Sequence, residues 1–240
     1  MRRIVKGTEP EELRRWKDQN AASPQLLRYP NLGGAQTIAI RQQMLAEQGY
    51  LCAYTMQRIQ SVNDCHIEHI VPRSQPPESH NRDLDYTNML ACFPGRLACS
   101  PGIDPPPGWN PREPYGAQHK GGTFINEYNF ISPLRDDVES RFQYSADGRV
   151  SFNANDTPAM RSIEILKLNH DILTELRRAA IDERIFEAPM SIADAEKLAV
   201  SIATPDSTGM LSPFCIAISQ VSMWYANTVR NNSQPSTPFD

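Results

Sequence analysis

The pattern of apolar and polar residues along the chain predicts an α+β protein. Helical spacing marks residues 9–19, where the helix is expected to begin after Pro10, and residues 33–49, which end at a glycine. Alternating runs predict a strand, a turn and a strand over residues 50–59, a short strand over residues 65–71, and a hairpin over residues 141–153.

The last third of the chain is predicted to be helical. Thr157 before Pro158 is the expected cap of one helix, and Ser191 with Asp194 has capping-box spacing for another. The chain is therefore divided into an N-terminal helical arm (1–31), a core (32–150) with a Pro-rich insertion (94–115), a C-terminal helical region (151–230) and a disordered tail (231–240).

Charge and cysteine content narrow the function classes. The net charge is −4, from 24 Lys and Arg against 28 Asp and Glu, so binding to nucleic acid would need a local basic patch or a partner. No apolar run approaches the roughly 18 residues that span a bilayer, and the first residues lack the apolar segment of a secretory signal. Five cysteines, an odd number, favour a reduced compartment. We expect a cytoplasmic protein with no membrane partner.

Candidate chemistry concentrates between residues 66 and 119, which contain four of the five histidines. Glu68 and His69 stand together, Asn88 follows, and His119 comes last. Metal ligands and acid–base groups must converge on one point, and clustering of this kind suits them. Taken alone, Glu68 and His69 also fit a hydrogen-bonded pair in a turn. Two other histidines have minor predicted roles, His66 as a strand residue or outer contact and His170 as a structural or capping residue.

The order of short blocks around these residues is more specific than the clustering. The series "IEHIVP…YTN…H" resembles the HNH, or ββα-metal, nuclease motif. The wider blocks resemble one branch of it, the PtuB-like HNH endonucleases of the Septu and retron-associated anti-phage systems, from about the second helix to roughly residue 187. These blocks are "EQGYLCAY", "CHIEHIVPRS", "LDYTNMLACFPG", "ISPLRDDVESRFQYSADGRV" and "LKLNHDILTELR".

The resemblance implies a ββα-metal core and a role for each residue of the motif. His69 would be the general base, because a neutral imidazole can take a proton from water near pH 7. Glu68 and His119 would hold one Mg²⁺ or Mn²⁺ ion. Asn88 would either hold the loop that orients His69 or approach the metal. Three nearby basic residues would contact substrate phosphates or simply face solvent, namely Arg73, Arg82 and Lys120.

The cysteines depart from the zinc-binding pairs that many HNH proteins carry. Cys52 is followed three positions later by Thr55, a poor zinc ligand, instead of a second cysteine. Two interpretations remain. Cys52, Cys92 and Cys99 form an irregular structural Zn²⁺ site, or, as the spacing favours, they are small buried apolar residues.

The implied function is cleavage of DNA or RNA as the effector of an anti-phage system. The implied partners are a PtuA-like SMC/ABC ATPase that controls the nuclease, the nucleic-acid substrate, and a retron reverse transcriptase with its RNA–DNA product. The C-terminal helices, with Trp224 and Tyr225, are a candidate docking face or plain core. Two alternatives stay open, a non-catalytic module that binds nucleic acid or the ATPase, and a nuclease directed at tRNA.

Overall fold

The computed structural model describes residues 1–75, 82–93 and 113–232, and within them the protein has a mixed α+β fold. Most of the predicted Pro-rich insertion, and the tail beyond Asn232, lie outside the described residues. No helix in the described ranges is both long enough and apolar enough to cross a membrane. The helices are α1 (Glu11–Gln19), α2 (Gly34–Glu47), α3 (Ala117–Lys120), α4 (Thr157–Ile165), α5 (Asp171–Ile181), α6 (Ile192–Ser201) and α7 (Cys215–Asn232).

The strands form two separate antiparallel pairs. Strands β1 (His66–His69) and β2 (Met89–Cys92) make one pair, and β3 (Phe142–Tyr144) and β4 (Val150–Phe152) make the other. The strand predicted over residues 65–71 and the hairpin predicted over residues 141–153 are therefore confirmed. In chain order, β1 and β2 are followed by the short helix α3, and these elements carry Glu68, His69, His119 and Lys120 of the predicted site.

The segment 50–59 does not contain the two strands that its alternation predicted. Only a single bridge between Leu51 and Arg58 is formed there. Tyr50 and Met56 have φ angles of 60° and 61°, and a residue in this left-handed region cannot continue a pleated strand. The chain turns instead, and the amide of Cys52 donates to the carbonyl of Gln57 at 2.8 Å.

Helices α4, α5 and α6 are capped by side chains, and one of these caps differs from the prediction. Ser191 caps α6 by accepting from the amide of Asp194, as its spacing predicted. His170 caps α5, and its Nδ1 accepts from the amide of Ile172 at 3.3 Å, which confirms its predicted capping role. Helix α4 is capped by Asp156, not by Thr157, because Thr157 is already the first helical residue and the Asp156 carboxylate accepts from the amide at position 159.

The core is continuous from the N-terminal helices to α7. Every residue of β2 is buried, and the β3–β4 hairpin packs against α4 and α7. The turn of this hairpin also lies directly on α5. At Gly148, φ is +81°, and a Cβ atom there would lie 2.2 Å from the carbonyl oxygen of Thr174. Only glycine fits this contact between the hairpin and the helix.

Replacing Gly148 with alanine tests this packing. The new methyl group meets backbone atoms that cannot turn away, in addition to the cost of a positive φ, so we expect Gly148→Ala to lower the free energy of unfolding by about 2–4 kcal/mol. Gly209→Ala is the matched control, because its φ of +80° is similar and nothing lies within 4 Å of the added atom. Urea denaturation of both variants gives the comparison, and equal losses would contradict the close contact.

Candidate functional site

Glu68 and His69 are the last two residues of β1, and both are paired with β2. Glu68 lies opposite Leu90, and His69 lies opposite Met89. Successive side chains of a strand point to opposite faces. The two side chains therefore have different partners, although they are adjacent in sequence.

His69 is held by a hydrogen bond that fixes which ring nitrogen carries a proton. Its Nε2 lies 2.9 Å from the backbone carbonyl oxygen of Asp83. A carbonyl only accepts, so Nε2 carries the hydrogen and Nδ1 keeps its lone pair when the ring is neutral. Burial lowers the pKa of His69 below its usual value and outweighs the opposing effect of the Asp83 carbonyl. At pH 7 the imidazole is consequently neutral, with Nδ1 able to accept a proton.

Asn88 fastens the two sides of the loop that joins β1 to β2. Its Oδ1 accepts from the amide of Val71 at 2.8 Å, and its Nδ2 donates to the carbonyls of Val71 and Arg82, both at 3.1 Å. The side chain is buried, so each of its polar groups depends on these partners. Of the two roles expected for Asn88, these contacts are those of a loop-holding residue. The loop in turn positions Asp83, which holds His69.

The N-terminal arm covers the His69 ring. Tyr29 lies edge-on to it, with ring centroids 4.8 Å apart. The amide of Tyr29 and the Nε of Arg28 both donate to the carboxylate of Asp83, at 3.1 and 3.0 Å. The guanidinium of Arg73 lies 4.6 Å from the centroid of the Tyr29 ring. As a result, His69 is only 6% exposed.

Lys120 is buried and holds Glu68. Its Nζ lies 2.6 Å from Oε1 of Glu68 and 2.9 Å from the carbonyl oxygen of His69, and its side chain has no exposed surface. The expectation that Lys120 contacts a substrate phosphate at the surface does not match this position. Helix α3 carries the lysine inward because Lys120 ends it on the side that faces β1.

His119, the neighbour of Lys120 on α3, has different contacts from Glu68. Its Nδ1 donates to the carbonyl of Ile165 at 2.8 Å. It also contributes to lowering the pKa of Glu113, which is lowered mainly by Lys167 and to a smaller degree by His170. His119 thus lies toward the group formed by Glu113, Lys167 and His170, and no ion pair joins it to Glu68 in the described part of the chain.

The residues that the resemblance assigned to a divalent ion do not fit such a site in this structure. Oε1 of Glu68 accepts from the ammonium group of Lys120, and His66 is the other charged or titratable partner of this carboxylate, at 3.8 Å. Within residues 1–75, 82–93 and 113–232, no three His, Cys, Asp or Glu side chains are grouped so that they could hold a metal ion. In this structure Glu68 pairs with Lys120, and His119 pairs with the Ile165 carbonyl.

Arg73 and Arg82 are the two predicted phosphate contacts that remain accessible. Arg73 is exposed, and Arg82 is partly exposed, with its Nε 3.5 Å from a carboxylate oxygen of Asp85. Arg82 also borders a cavity of about 450 Å³, together with Val71 and Arg135. The side chains of Arg82 and Arg135 therefore line a cavity next to the loop that Asn88 holds.

Two of the three cysteines assigned to a zinc site lie side by side. Cys52 and Cys92 are buried, and their thiols are joined by a hydrogen bond. Burial raises the pKa of Cys52, but hydrogen bonds from Cys92, the Phe93 amide and Thr55 outweigh it and bring this pKa to about 6. Cys99 lies outside the described residues. The pair thus forms a polar contact inside the core, and Thr55 stands where a second cysteine of a zinc pair would be.

Comparison with protein-family models found none that matches this chain, and comparison with curated proteins found no matching sequence.

Sequence reasoning missed two residues of this site. Tyr29 is far from His69 in the chain and carries no motif, so no local signal would have found it. Asp83 holds His69 through its backbone carbonyl, and any residue type supplies such a group. No sequence pattern pointed to the Asp83 carboxylate either, although it holds the N-terminal arm.

Replacing Asn88 tests the loop closure. Asn88→Ala removes three hydrogen bonds and leaves partly buried backbone groups without these partners, so we expect the free energy of unfolding to fall by about 2–3 kcal/mol. Asn63→Ala, at an exposed position, should change it by less than about 0.5 kcal/mol. Urea denaturation measures both. A loss at Asn88 no larger than at Asn63 would show that the loop is held by other contacts.

Proposed function

We propose that this protein is an HNH-type nuclease that hydrolyses phosphodiester bonds of nucleic acid, with His69 as the general base. The observation that carries the proposal is the hydrogen bond from Nε2 of His69 to the Asp83 carbonyl. It leaves Nδ1 as a proton acceptor, at the end of a strand, inside the strand–strand–helix unit formed by β1, β2 and α3. The ordered motif Glu68–His69, Asn88 and His119 supports the same assignment.

The proposed reaction is a single displacement at phosphorus. Nδ1 of His69 takes a proton from a water molecule, and the resulting hydroxide attacks the phosphorus atom. The bond from phosphorus to the leaving sugar oxygen breaks, and that oxygen takes up a proton from solvent. The Asp83 carbonyl stabilises the imidazolium that is formed, because it accepts from Nε2–H. No step runs through a divalent ion, since Glu68 is engaged by Lys120.

The nearby arginines are suited to bind the phosphate. Arg73 and Arg82 are accessible, and a guanidinium group binds phosphate oxygens through paired hydrogen bonds. Contacts of this type are made to the backbone of nucleic acid, so they support DNA and RNA equally. With a net charge of −4, the protein would need a partner for further attraction to nucleic acid.

The proposed biological role is that of an anti-phage effector under the control of an SMC/ABC-like ATPase. The C-terminal helices offer a surface for such a partner. Trp224 is 55% exposed on α7, and Tyr225 beside it packs on Phe186, which is 43% exposed, with ring centroids 6.1 Å apart. Exposed aromatic side chains of this size are enriched at protein interfaces.

A second candidate function is a non-catalytic binding module of the same fold. Two observations favour it. His69 is only 6% exposed beneath Tyr29, and the carboxylate of Glu68 is neutralised by Lys120. A module of this kind would bind nucleic acid or the ATPase without cutting.

Replacing His69 separates the two functions. If His69 is the base, His69→Ala should lower the rate of plasmid or tRNA cleavage by about 10²–10⁴-fold, while the fold and partner binding are retained. His66→Ala is the matched control on the same strand, because His66 is an exposed histidine, and it should cleave at the wild-type rate. Cleavage by the wild type and by both variants, each in the presence of the ATPase, is measured on gels. Equal cleavage by both variants would contradict the assignment.

The pH dependence provides an independent check on the same residue. Burial opposes the charged imidazolium, so His69 stays neutral to a lower pH than a free histidine. The cleavage rate should therefore be constant around pH 7 and fall only as the pH drops below about 6.5, the usual pKa of histidine. A rate that begins to fall above that value would argue against a buried neutral base.

Introducing a charged residue at position 224 of α7 tests the proposed partner surface. Trp224→Glu should weaken binding to the ATPase by at least about tenfold, since a central aromatic anchor is worth 2 kcal/mol or more in many interfaces. Ile38→Glu is the control, because Ile38 is 47% exposed on α2, away from that surface. Calorimetric titration of both variants with the ATPase is the measurement. Equal affinities would place the interface elsewhere.

A further inference from the structure

We propose that the ammonium group of Lys120 is the fixed cation of this centre and replaces a divalent ion at Glu68, so that hydrolysis at His69 requires no metal bound there. This inference rests on the proposed nuclease function. It concerns Lys120 as a positioning residue, because its buried side chain touches Glu68 and the His69 backbone and not the substrate.

The contacts of Lys120 resemble those that a small cation would make. Its Nζ lies between a carboxylate oxygen of Glu68, at 2.6 Å, and the carbonyl oxygen of His69, at 2.9 Å. Carboxylate and carbonyl oxygens are the ligands that hard divalent ions prefer. Here both oxygens come from the end of β1 and both accept from the ammonium group. A cation site is therefore present, and a side chain of the protein fills it.

Burial makes this pair difficult to replace. The lysine side chain has no exposed surface, and that of Glu68 is 10% exposed. A buried charge is costly unless it is paired, so each group depends on the other. A divalent ion entering at Glu68 would meet a fixed positive charge on the same carboxylate, and burial of the pair strengthens that repulsion.

The other expected ligand does not compensate for this repulsion. His119 donates from Nδ1 to Ile165 and lies toward Glu113 and His170. In the described part of the chain, no cluster of three His, Cys, Asp or Glu side chains is available to hold an ion. An ion at Glu68 would thus lie next to an ammonium group that repels it, with His66, 3.8 Å from the carboxylate, as the other titratable neighbour.

The consequence for catalysis is a division of tasks among side chains. Lys120 fixes the end of β1 through the His69 carbonyl, which sets the position from which the imidazole projects. The positive charge that a metal would bring to the phosphate then has to come from Arg73 and Arg82, the accessible guanidinium groups near the loop. The cation thus positions the base, and the arginines bind the phosphate.

Two measurements on the full-length protein test the inference, and one of them does not need nuclease activity. The first is Mn²⁺ binding, followed by electron paramagnetic resonance, to the wild type, Glu68→Gln, Lys120→Met and the double variant. We expect the wild type and Glu68→Gln to bind Mn²⁺ equally weakly. Lys120→Met, which keeps much of the side-chain volume, should bind it at least tenfold more tightly than the double variant, because Glu68 is then free.

The second measurement is the rate of nucleic-acid cleavage in EDTA compared with the rate in Mn²⁺. Both rates are measured in the presence of the ATPase from which nucleotide has been removed. Wild type should cut in EDTA within about threefold of its rate in Mn²⁺, and Lys120→Arg, which keeps the charge, should retain this resistance. Lys120→Met should lose at least tenfold in EDTA and recover in Mn²⁺. A lysine with only a structural role would not change the metal dependence in this way.

The outcomes separate this inference from the nuclease proposal. If the wild type cuts through His69 but only with Mn²⁺, or binds Mn²⁺ through Glu68, the role of Lys120 is overturned and the nuclease stands. If no variant cuts under any condition, the nuclease proposal fails, and Mn²⁺ binding still decides whether Lys120 keeps the ion out. A folded Lys120→Met protein that gains no Mn²⁺ affinity would also overturn the inference. If that variant does not fold, Lys120→Gln, which also removes the charge, is compared in the same way with the double variant Lys120→Gln and Glu68→Gln.

Discussion

The arrangement of the candidate site depends on one buried amide, the side chain of Asn88. The strand that carries His69 ends at that residue, and the chain returns to β2 only after a loop. Asn88 closes this loop because its amide group satisfies backbone groups of Val71 and Arg82 together. Closure brings the carbonyl of the next residue, Asp83, to Nε2 of His69. The protonation pattern of the imidazole therefore follows from a contact made by a different side chain.

Asp83 then connects the site with the N-terminal arm. Its carbonyl holds the His69 ring, while its carboxylate holds Arg28 and the amide of Tyr29. These contacts place the Tyr29 ring against His69 and exclude water from most of the imidazole. The low exposure is also the reason that the pKa of His69 is lowered. One loop residue thus fixes which ring nitrogen of the histidine carries the proton, and it holds the covering Tyr29 whose contact keeps the ring buried.

Much of the fold could be predicted from the sequence, because the relevant signals are local. Pro10, the alternation around residues 141–153 and the spacing of Ser191 and Asp194 each specify a short piece of backbone. The exceptions are local as well. Positive φ angles at Tyr50 and Met56 prevented strands over residues 50–59, and no pattern of alternation reveals such angles. A cap at Asp156 was missed because the neighbouring Thr157 has an equally suitable side chain.

The candidate site was less predictable, because its contacts join segments that are distant in the chain. The sequence motif placed Glu68 and His119 in one ligand set, but the direction of each side chain depends on helix α3. On a helix, adjacent residues point about 100° apart, so only one of His119 and Lys120 can face β1. In this structure Lys120 does so. A motif predicts which residue types belong to a site, whereas the packing of helix α3 determines which of its side chains contacts Glu68.

The same arrangement of β1, β2 and α3 can therefore support different chemistry, since it fixes the positions of side chains and not their reactivity. If the residue facing Glu68 is an imidazole, the carboxylate has a neutral neighbour and can share a divalent ion with it. If it is an ammonium group, the charge of the carboxylate is already balanced, and an added ion meets repulsion. The imidazole ring of His69 has its own partner, the Asp83 carbonyl, on the other face of the strand. Lys120 reaches His69 through the backbone carbonyl, whereas the ring is held through Nε2, so the two contacts act on different parts of the same residue.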